Sequence, residues 1–252
     1  MTEDLKYDNI IKGKFISRPS RFIANVEING KTEKAHIRNN GRCSELFIQG
    51  AEVYLTENHS TKKTTAYDLV AVRKKNGLLV NIDNRAAKLA VKEWLEKQGF
   101  SKLIGGQVII DSKIDFYMEK ENDYGSLKKF IYEVRTCTLE KNGVSYYPEA
   151  PVTNEHKLLR KLVRYSKMGY RTFLAFVIQI NGVTGLKLCD DADPLYPMFF
   201  KEAVKDGLKY VLLPCIVEPD SLEIIPGKDF FQYMRDFRIS SELGVRGSEP
   251  GE

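Results

Sequence analysis

Asn29-Gly30 is the dipeptide that most narrows the fold. It separates two runs of alternating character, Phe22–Ile28 and Thr32–Ile37. Asn-Gly between such runs marks a two-residue hairpin, because both turn positions need positive φ. Phe15–Ser17 precedes the pair, and Glu52–Glu57, Tyr67–Arg73 and Leu78–Ile82 follow it. Short strands at this spacing, with Gly and Asn between them, predict a small β-barrel over residues 1–84. An OB-type barrel suits five or six strands in that length, as do other small barrels.

The period then changes. Leu89, Ala90, Trp94 and Leu95 share one helical face in Ala86–Gln98, and Gly99 ends the run. This helix leads into a second domain, residues 85–239. Val108–Ile110, Lys113–Met118 and Phe130–Thr138 read as strands, and Asn154–Met168 as a helix. Phe173–Ile180 reads as a buried strand, Pro197–Gly207 as a helix and Tyr210–Val217 as a last strand. Strands mixed with helices predict an α/β or α+β sandwich. The polar tail, residues 240–252, is expected to be disordered.

Composition removes several classes. Lys and Arg number 39 against 34 acids, a net charge of +5 that permits an anionic partner without requiring one. No run approaches the roughly 20 apolar residues needed to span a bilayer. The first residues, Met1 to Tyr7, carry no apolar signal core, so a cytoplasmic location is expected. The four cysteines form no C-x-x-C pair, and the three histidines lack metal-ligand spacing. No P-loop and no G-x-S-x-G is present.

Alternation within two strands brings acids together. In Lys113–Met118, Ile114, Phe116 and Met118 form one face, leaving Lys113, Asp115 and Tyr117 on the other. In Phe130–Arg135, Ile131, Glu133 and Arg135 share a face. A polar loop joins the two, so they suit an antiparallel pair with Asp115 beside Glu133. Two close carboxylates repel and favour a cation between them. Mg²⁺ or Mn²⁺ suits such oxygen ligands, and Arg135 adds fixed positive charge. The pattern D…E-x-cation belongs to restriction-endonuclease-like nucleases, in which the metal activates water at a phosphodiester. A polar sheet face held by salt bridges has the same short signature.

The wider sequence carries a resemblance. Ser112-Lys-Ile-Asp-Phe, Tyr132-Glu-Val-Arg-Thr-Cys-Thr-Leu and Tyr147-Pro-Glu-Ala-Pro-Val-Thr-Asn-Glu-His-Lys-Leu-Leu resemble three motifs of the sugar fermentation stimulation protein family. Those motifs read S-R-x-D-F, E-V-K-S-V-T-L and F-P-D-A-x-T-x-R-G-x-K-H-L. Upstream, Arg21-Phe-Ile-Ala-Asn-Val, His36-Ile-Arg-Asn-Asn-Gly-Arg and the Lys63-Thr…Tyr67-Asp-Leu segment are similar to family segments. The likeness runs in order over residues 11–230. It implies an OB-like barrel followed by a restriction-endonuclease-like, PD-(D/E)XK-type, mixed α/β domain. It also implies DNA binding and regulation of sugar-metabolism genes.

Two departures bear on chemistry. The family's Lys in E-V-K is Arg135 here, which keeps the charge but cannot exchange a proton near neutral pH. A family Glu before S-R-x-D-F has Gln107 as its nearest counterpart, an oxygen donor without charge. The candidate catalytic set is therefore Asp115, Glu133, Arg135 and Gln107, with Asp115 and Glu133 as metal ligands.

Two basic surfaces are candidates for nucleic acid. From Glu155 to Arg171 there are six Lys or Arg and one acid, a local charge equal to the excess of the whole chain. Lys157, Arg160, Lys161 and Arg164 are its candidate phosphate contacts. On the barrel, Arg18, Arg21, Arg42, Lys62 and Lys63 lie in or near turns, with His36 and Asn39 in the H-x-x-N turn. Phe15, Phe22, Phe47, Tyr54 and Tyr67 are interleaved and serve either as barrel core or as stacking platforms. The leading expectation is a DNA-binding protein with a weakened nuclease-like site. A Mg²⁺-dependent DNA or RNA nuclease and a protein-interaction scaffold are the alternatives.

Overall fold

A computed structural model describes residues 6–39, 41–58, 65–122, 124–151, 153–225 and 238–239. The expected tail 240–252 lies outside the described residues, as do Lys62 and Lys63.

The barrel is made by β1 (Ile11–Ser20), β2 (Ile23–Ile28), β3 (Lys31–Ile37), β4 (Glu52–Glu57) and β5 (Tyr67–Arg73), with β6 (Leu79–Asn81) appended. Asn29 and Gly30 take φ of 50° and 75°, the mirror-image turn their identities require. The antiparallel order β3-β2-β1-β4-β5 is closed by parallel pairing of β3 with β5, at Ala35↔Tyr67 and Ile37↔Leu69. Closure leaves no free edge among these five strands. Inside, Ala24, Val26, Ala35, Ile37, Val53, Leu55 and Leu69 are buried at two-residue intervals. Gly13 permits the tight wall: a Cβ there would lie 2.8 Å from the Glu27 carbonyl oxygen.

The chain leaves the barrel through Asp83, whose Oδ1 accepts from the Arg85 and Ala86 amides at 2.8 and 3.4 Å. That cap starts α1 (Asn84–Glu96). Its buried stripe is Ala86, Ala87, Ala90, Val91 and Leu95, so the expected face is rotated. Leu89 points outward because the small alanines allow close approach to the sheet.

The second domain contains β7 (Lys102–Gly105), β8 (Val108–Ile109), β9 (Ser112–Lys113), β10 (Phe116–Glu121), β11 (Leu127–Cys137), β12 (Leu139–Lys141), β13 (Val144–Tyr147), α2 (Thr153–Lys167), β14 (Arg171–Ile178), β15 (Gly185–Leu188), α3 (Tyr196–Lys205), β16 (Lys209–Glu218), β17 (Ser221–Ile224) and β18 (Arg238–Ile239). Its main sheet runs β17-β16-β14-β11-β10-β7, with β11, β14 and β16 parallel. A smaller sheet runs β12-β13-β15-β18. The long strands β10, β11, β14 and β16 and the helices α2 and α3 were all readable from pattern. The short strands β7, β12, β13, β15 and β17 were not, because three or four residues show no reliable period.

Both faces of the main sheet are covered. Phe116, Met118, Tyr132, Val134 and Phe173 pack with α1. Ile114, Tyr117, Ile131 and Leu174 pack with Leu158, Leu159, Leu162 and Tyr165 of α2. The expected open polar face is thus corrected: α2 lies across it, and only Glu133 and its neighbours interrupt an apolar layer. Tyr132 and Phe173 stack at 4.5 Å between adjacent parallel strands.

The two domains are sewn together. The Asn81 amide donates to the Gln179 carbonyl at 3.0 Å, and Gln179 Nε2 donates to Asn81 Oδ1 at 2.8 Å. Val80 bridges Ile180. Lys74 of the barrel forms an ion pair with buried Glu140. One apolar core runs from barrel residues such as Phe15 through to Phe200. All four cysteines are buried and unpaired, and no described helix is long and apolar enough to cross a membrane.

Candidate active site and nucleic-acid interface

Backbone register sets two carboxylates side by side and places a glutamine on the neighbouring segment, opposite Ile114. Phe116 pairs with Tyr132, which sets Asp115, one residue before β10, opposite Glu133 on β11. On the other side, the Gly106 amide donates to the Asp115 carbonyl at 2.8 Å, and the Ile114 amide donates to the Gln107 carbonyl at 2.9 Å. Gln107, Asp115 and Glu133 therefore lie on three neighbouring segments of chain, as the sequence pattern indicated for the two acids.

Asp115 is fixed by its surroundings. Its Oδ2 accepts from the Val134 amide at 2.9 Å, and its Oδ1 accepts from Lys88 Nζ on α1. Glu133 is buried, 6% exposed. Lys161 Nζ on α2 lies 3.4 Å from its Oε1, and Arg135 3.7 Å from its Oε2. Burial raises the Glu133 pKa, the Asp115 charge raises it further, and Arg135 and Lys161 pull it back.

Arg135 is differently placed from its expected role. Its Nε donates to Glu155 Oε2 at 2.7 Å, and Nη1 donates to the Val134 carbonyl at 2.6 Å. Burial is the largest influence and opposes its charge, but Glu155, Tyr147 and Glu133 together outweigh it and raise the pKa. The guanidinium is a buried tie between β11 and α2, with its fork turned to Glu155. The ammonium groups at the carboxylate oxygens belong instead to Lys88 and Lys161. Lys88 carries no motif signal. Glu155 has one: it is the lone acid in an otherwise basic helix.

A hard divalent cation fits the donor set: two carboxylates plus the Gln107 amide oxygen, which is buried without a hydrogen-bond partner. Among the described residues no group of three or more His, Cys, Asp or Glu is suited to a metal, so the remaining ligands must be Gln107, water or phosphate oxygens.

The basic helix is partly occupied by internal pairing. Lys161 serves Glu133, and Arg164 pairs with Asp111 at 2.5 Å. Lys157 and Arg160 are exposed, and Arg160 lies over the Phe199 ring at 5.4 Å. On the barrel, Arg18, Ser20, Arg21, Gly41, Arg42, Ala150 and Pro151 line a cleft of about 670 Å³ between the domains. Arg18 is spent on structure: its guanidinium donates to the Arg21 and Gly41 carbonyls at 2.6 and 3.1 Å and to the Arg42 carbonyl, over the Phe47 ring. Arg21 lies over Phe22 at 5.5 Å, and Phe22 is 43% exposed, near His36. His36 Nδ1 is 3.1 Å from buried Asp68. Asn39 departs from expectation. It is 2% exposed, its Nδ2 donates to the Ile82 carbonyl and Asn84, and its Oδ1 accepts from Gly41. It fixes the turn and does not face solvent. Phe15 is barrel core, Tyr54 is buried on the outer face of β4, and Phe47 and Tyr67 are half-buried against the core, which leaves Phe22 as the exposed ring of the five aromatics considered.

A closed five-stranded OB barrel joined to a mixed α/β domain with a carboxylate row across its sheet defines a two-domain protein of restriction-endonuclease-like architecture. Residues 16–82 match the SfsA N-terminal OB domain, and residues 81–221 match the Sugar fermentation stimulation protein RE domain. The chain belongs to the sugar fermentation stimulation protein family. A homolog from Desulfitobacterium hafniense is 38% identical over 222 residues, covering 87% of this chain and 95% of that protein. One from Clostridium beijerinckii is 37% identical over 224 residues, covering 87% and 96%. The structure of Pyrococcus furiosus SfsA in complex with Ca²⁺ aligns with a TM-score of 0.74 at 22% identity, covering 90% of this chain and all of that one.

Proposed function

We propose that this chain binds nucleic acid, DNA in the first instance, and holds a divalent cation at Asp115 and Glu133 against the phosphate backbone. The observation that carries this reading is the side-by-side pair Asp115 and Glu133, the latter buried with a raised pKa, with the orphaned amide oxygen of Gln107 on the neighbouring segment. The complex of Pyrococcus furiosus SfsA with Ca²⁺ supports the cation part of this reading. The exposed Arg21–Phe22 pair beside the arginine-lined cleft, a combination suited to a phosphate and a stacked base, supports the nucleic-acid part.

Cleavage of the phosphodiester is the second reading, and Lys88 and Lys161 favour it. A bound Mg²⁺ supplies Lewis-acid polarisation and an acidified water. Asp115 and Glu133 would hold that charge, and the Val134 amide keeps Asp115 aimed. Lys161 and Lys88 offset negative charge that develops on the phosphate. Arg135 positions Glu133 and α2 from beneath.

Calorimetric titration with Ca²⁺ and Mg²⁺ tests the site. Asp115→Asn and Glu133→Gln are expected to weaken cation binding by at least about tenfold each, as loss of a charged hard-ion ligand should. Unchanged affinity in both variants rejects the metal site. Cleavage assays on single- and double-stranded DNA and RNA with Mg²⁺ or Mn²⁺ then separate a nuclease from a binding protein.

A further inference from the structure

The segment between Gln107 and Asp115 is a miniature hairpin, β8 and β9, joined through Ile110 and Asp111. Its ends are the two site residues, so its tip is fixed relative to the carboxylate row. Ile109 is buried beneath it, whereas Val108 is 64% exposed and Ile110 52% exposed. Among the described residues only Tyr124 is a more exposed large apolar side chain than Val108. Ile110 sits at φ 58°, a left-handed conformation that a β-branched residue avoids.

The tip is anchored rather than loose. Tyr165 of α2 donates to the Ile109 carbonyl at 3.2 Å and to Asp111 Oδ1 at 2.7 Å. Arg164 clamps the other oxygen of Asp111. Cations stand at its tip and its base. Three of them are paired, Arg164 with Asp111 at the tip, and Lys88 and Lys161 with Asp115 and Glu133 beyond the base; Lys113 lies across Gly106. Two aliphatic side chains held forward on a rigid, strained turn do not suit water, and four cations set against three carboxylates leave a basic margin that suits a polyanion. Aliphatic wedges of this kind enter between base pairs and unstack them while cations hold the flanking phosphates.

We infer that Val108 and Ile110 form a wedge that enters an unstacked base step beside the phosphate held at Asp115 and Glu133, directing the site to mismatched or otherwise weakened duplex. The inference rests on the nucleic-acid reading above. Opening a step costs least where pairing is already broken, which makes the wedge a selector as well as a lever.

The test uses the full chain with Ca²⁺ and two duplexes of one sequence, fully paired or carrying a single central mismatch beside 2-aminopurine. Wild type is expected to bind the mismatched duplex about tenfold more tightly and to raise the 2-aminopurine fluorescence. The double variant Val108→Ser, Ile110→Asn is expected to lose both the preference and the fluorescence rise, with the salt dependence of binding unchanged. Asn accepts the left-handed backbone, so a melting temperature at or above wild type confirms that this variant folds. Equal affinity of wild type for both duplexes, or a preference that survives the double substitution, overturns the wedge and leaves the nucleic-acid reading standing. Absence of binding to either duplex at low salt overturns both. Tighter binding of wild type than of the variant to neutral lipid vesicles, without duplex discrimination, also overturns it in favour of a surface anchor.

Discussion

Glu149 shows what burial does to a single carboxylate in this chain. Burial raises its pKa, and nearby Glu45, also raised by burial, adds to the effect; hydrogen bonds from Thr138 and Cys43 only partly offset this. Native Glu149 therefore binds its proton more tightly than the unfolded chain does. Between the ordinary glutamate pKa and the raised one, the native state holds more protons, so stability falls as pH rises through that window. Below the unfolded pKa both states are protonated and the slope vanishes. Glu149→Gln is expected to flatten this slope and to raise the melting temperature at pH 7 relative to pH 4.5, measured by thermal denaturation across that range. An unaltered slope would show that Glu149 does not carry it. The residue scale is also where the sequence was least legible. Glu133 and Asp115 could be found by alternation. The burial of Arg135 against Glu155 could not, because it depends on where α2 settles, some twenty residues later in the chain. Asn39 looked like a surface contact and is a buried tie, because its amide meets Ile82 and Asn84 only after the barrel closes.

At the scale of elements, legibility followed length and period. β2 and the end of β3 alternate with a period of two about an Asn-Gly turn, whereas β4 and β5 were legible as short, continuously buried apolar runs. α2 was legible from its leucines. β8 was read within Val108–Ile110, but its pairing with the two-residue β9 was not, since so short a ladder is set by its anchors and not by its own pattern. The start of α1 makes a direct prediction. Asp83 is fully buried, caps two amides and lies 3.5 Å from Arg38. Asp83→Ala is expected to cost about 1–2 kcal/mol, with Arg38 retaining its partner Asp68. Urea denaturation reads this directly, and no measurable loss would show that the cap contributes nothing. Because α1 also carries Lys88, the same variant is expected to loosen the contact between Lys88 and Asp115.

The whole molecule divides by topology but not by packing. The barrel ends at β6, yet the edge of β6 is paired to Gln179 and Ile180 of the second domain, and one apolar core crosses the joint. The expected division into a barrel and an α/β domain captures the order of elements. It misses this union, because long-range burial between Phe15 and Phe200 has no local signature. The union predicts a single cooperative unfolding transition in scanning calorimetry, with equal calorimetric and van't Hoff enthalpies. Two resolved transitions would show independent domains. The same joint has a mechanical meaning for the cleft lined by Arg21 and Arg42 and for the carboxylate row. With barrel and sheet fastened through strand pairing, the protein resembles a caliper locked at one opening. A polymer bound across both jaws, as proposed above, would have to supply the bend itself, so selection would fall on ligands already slack or kinked at the right interval.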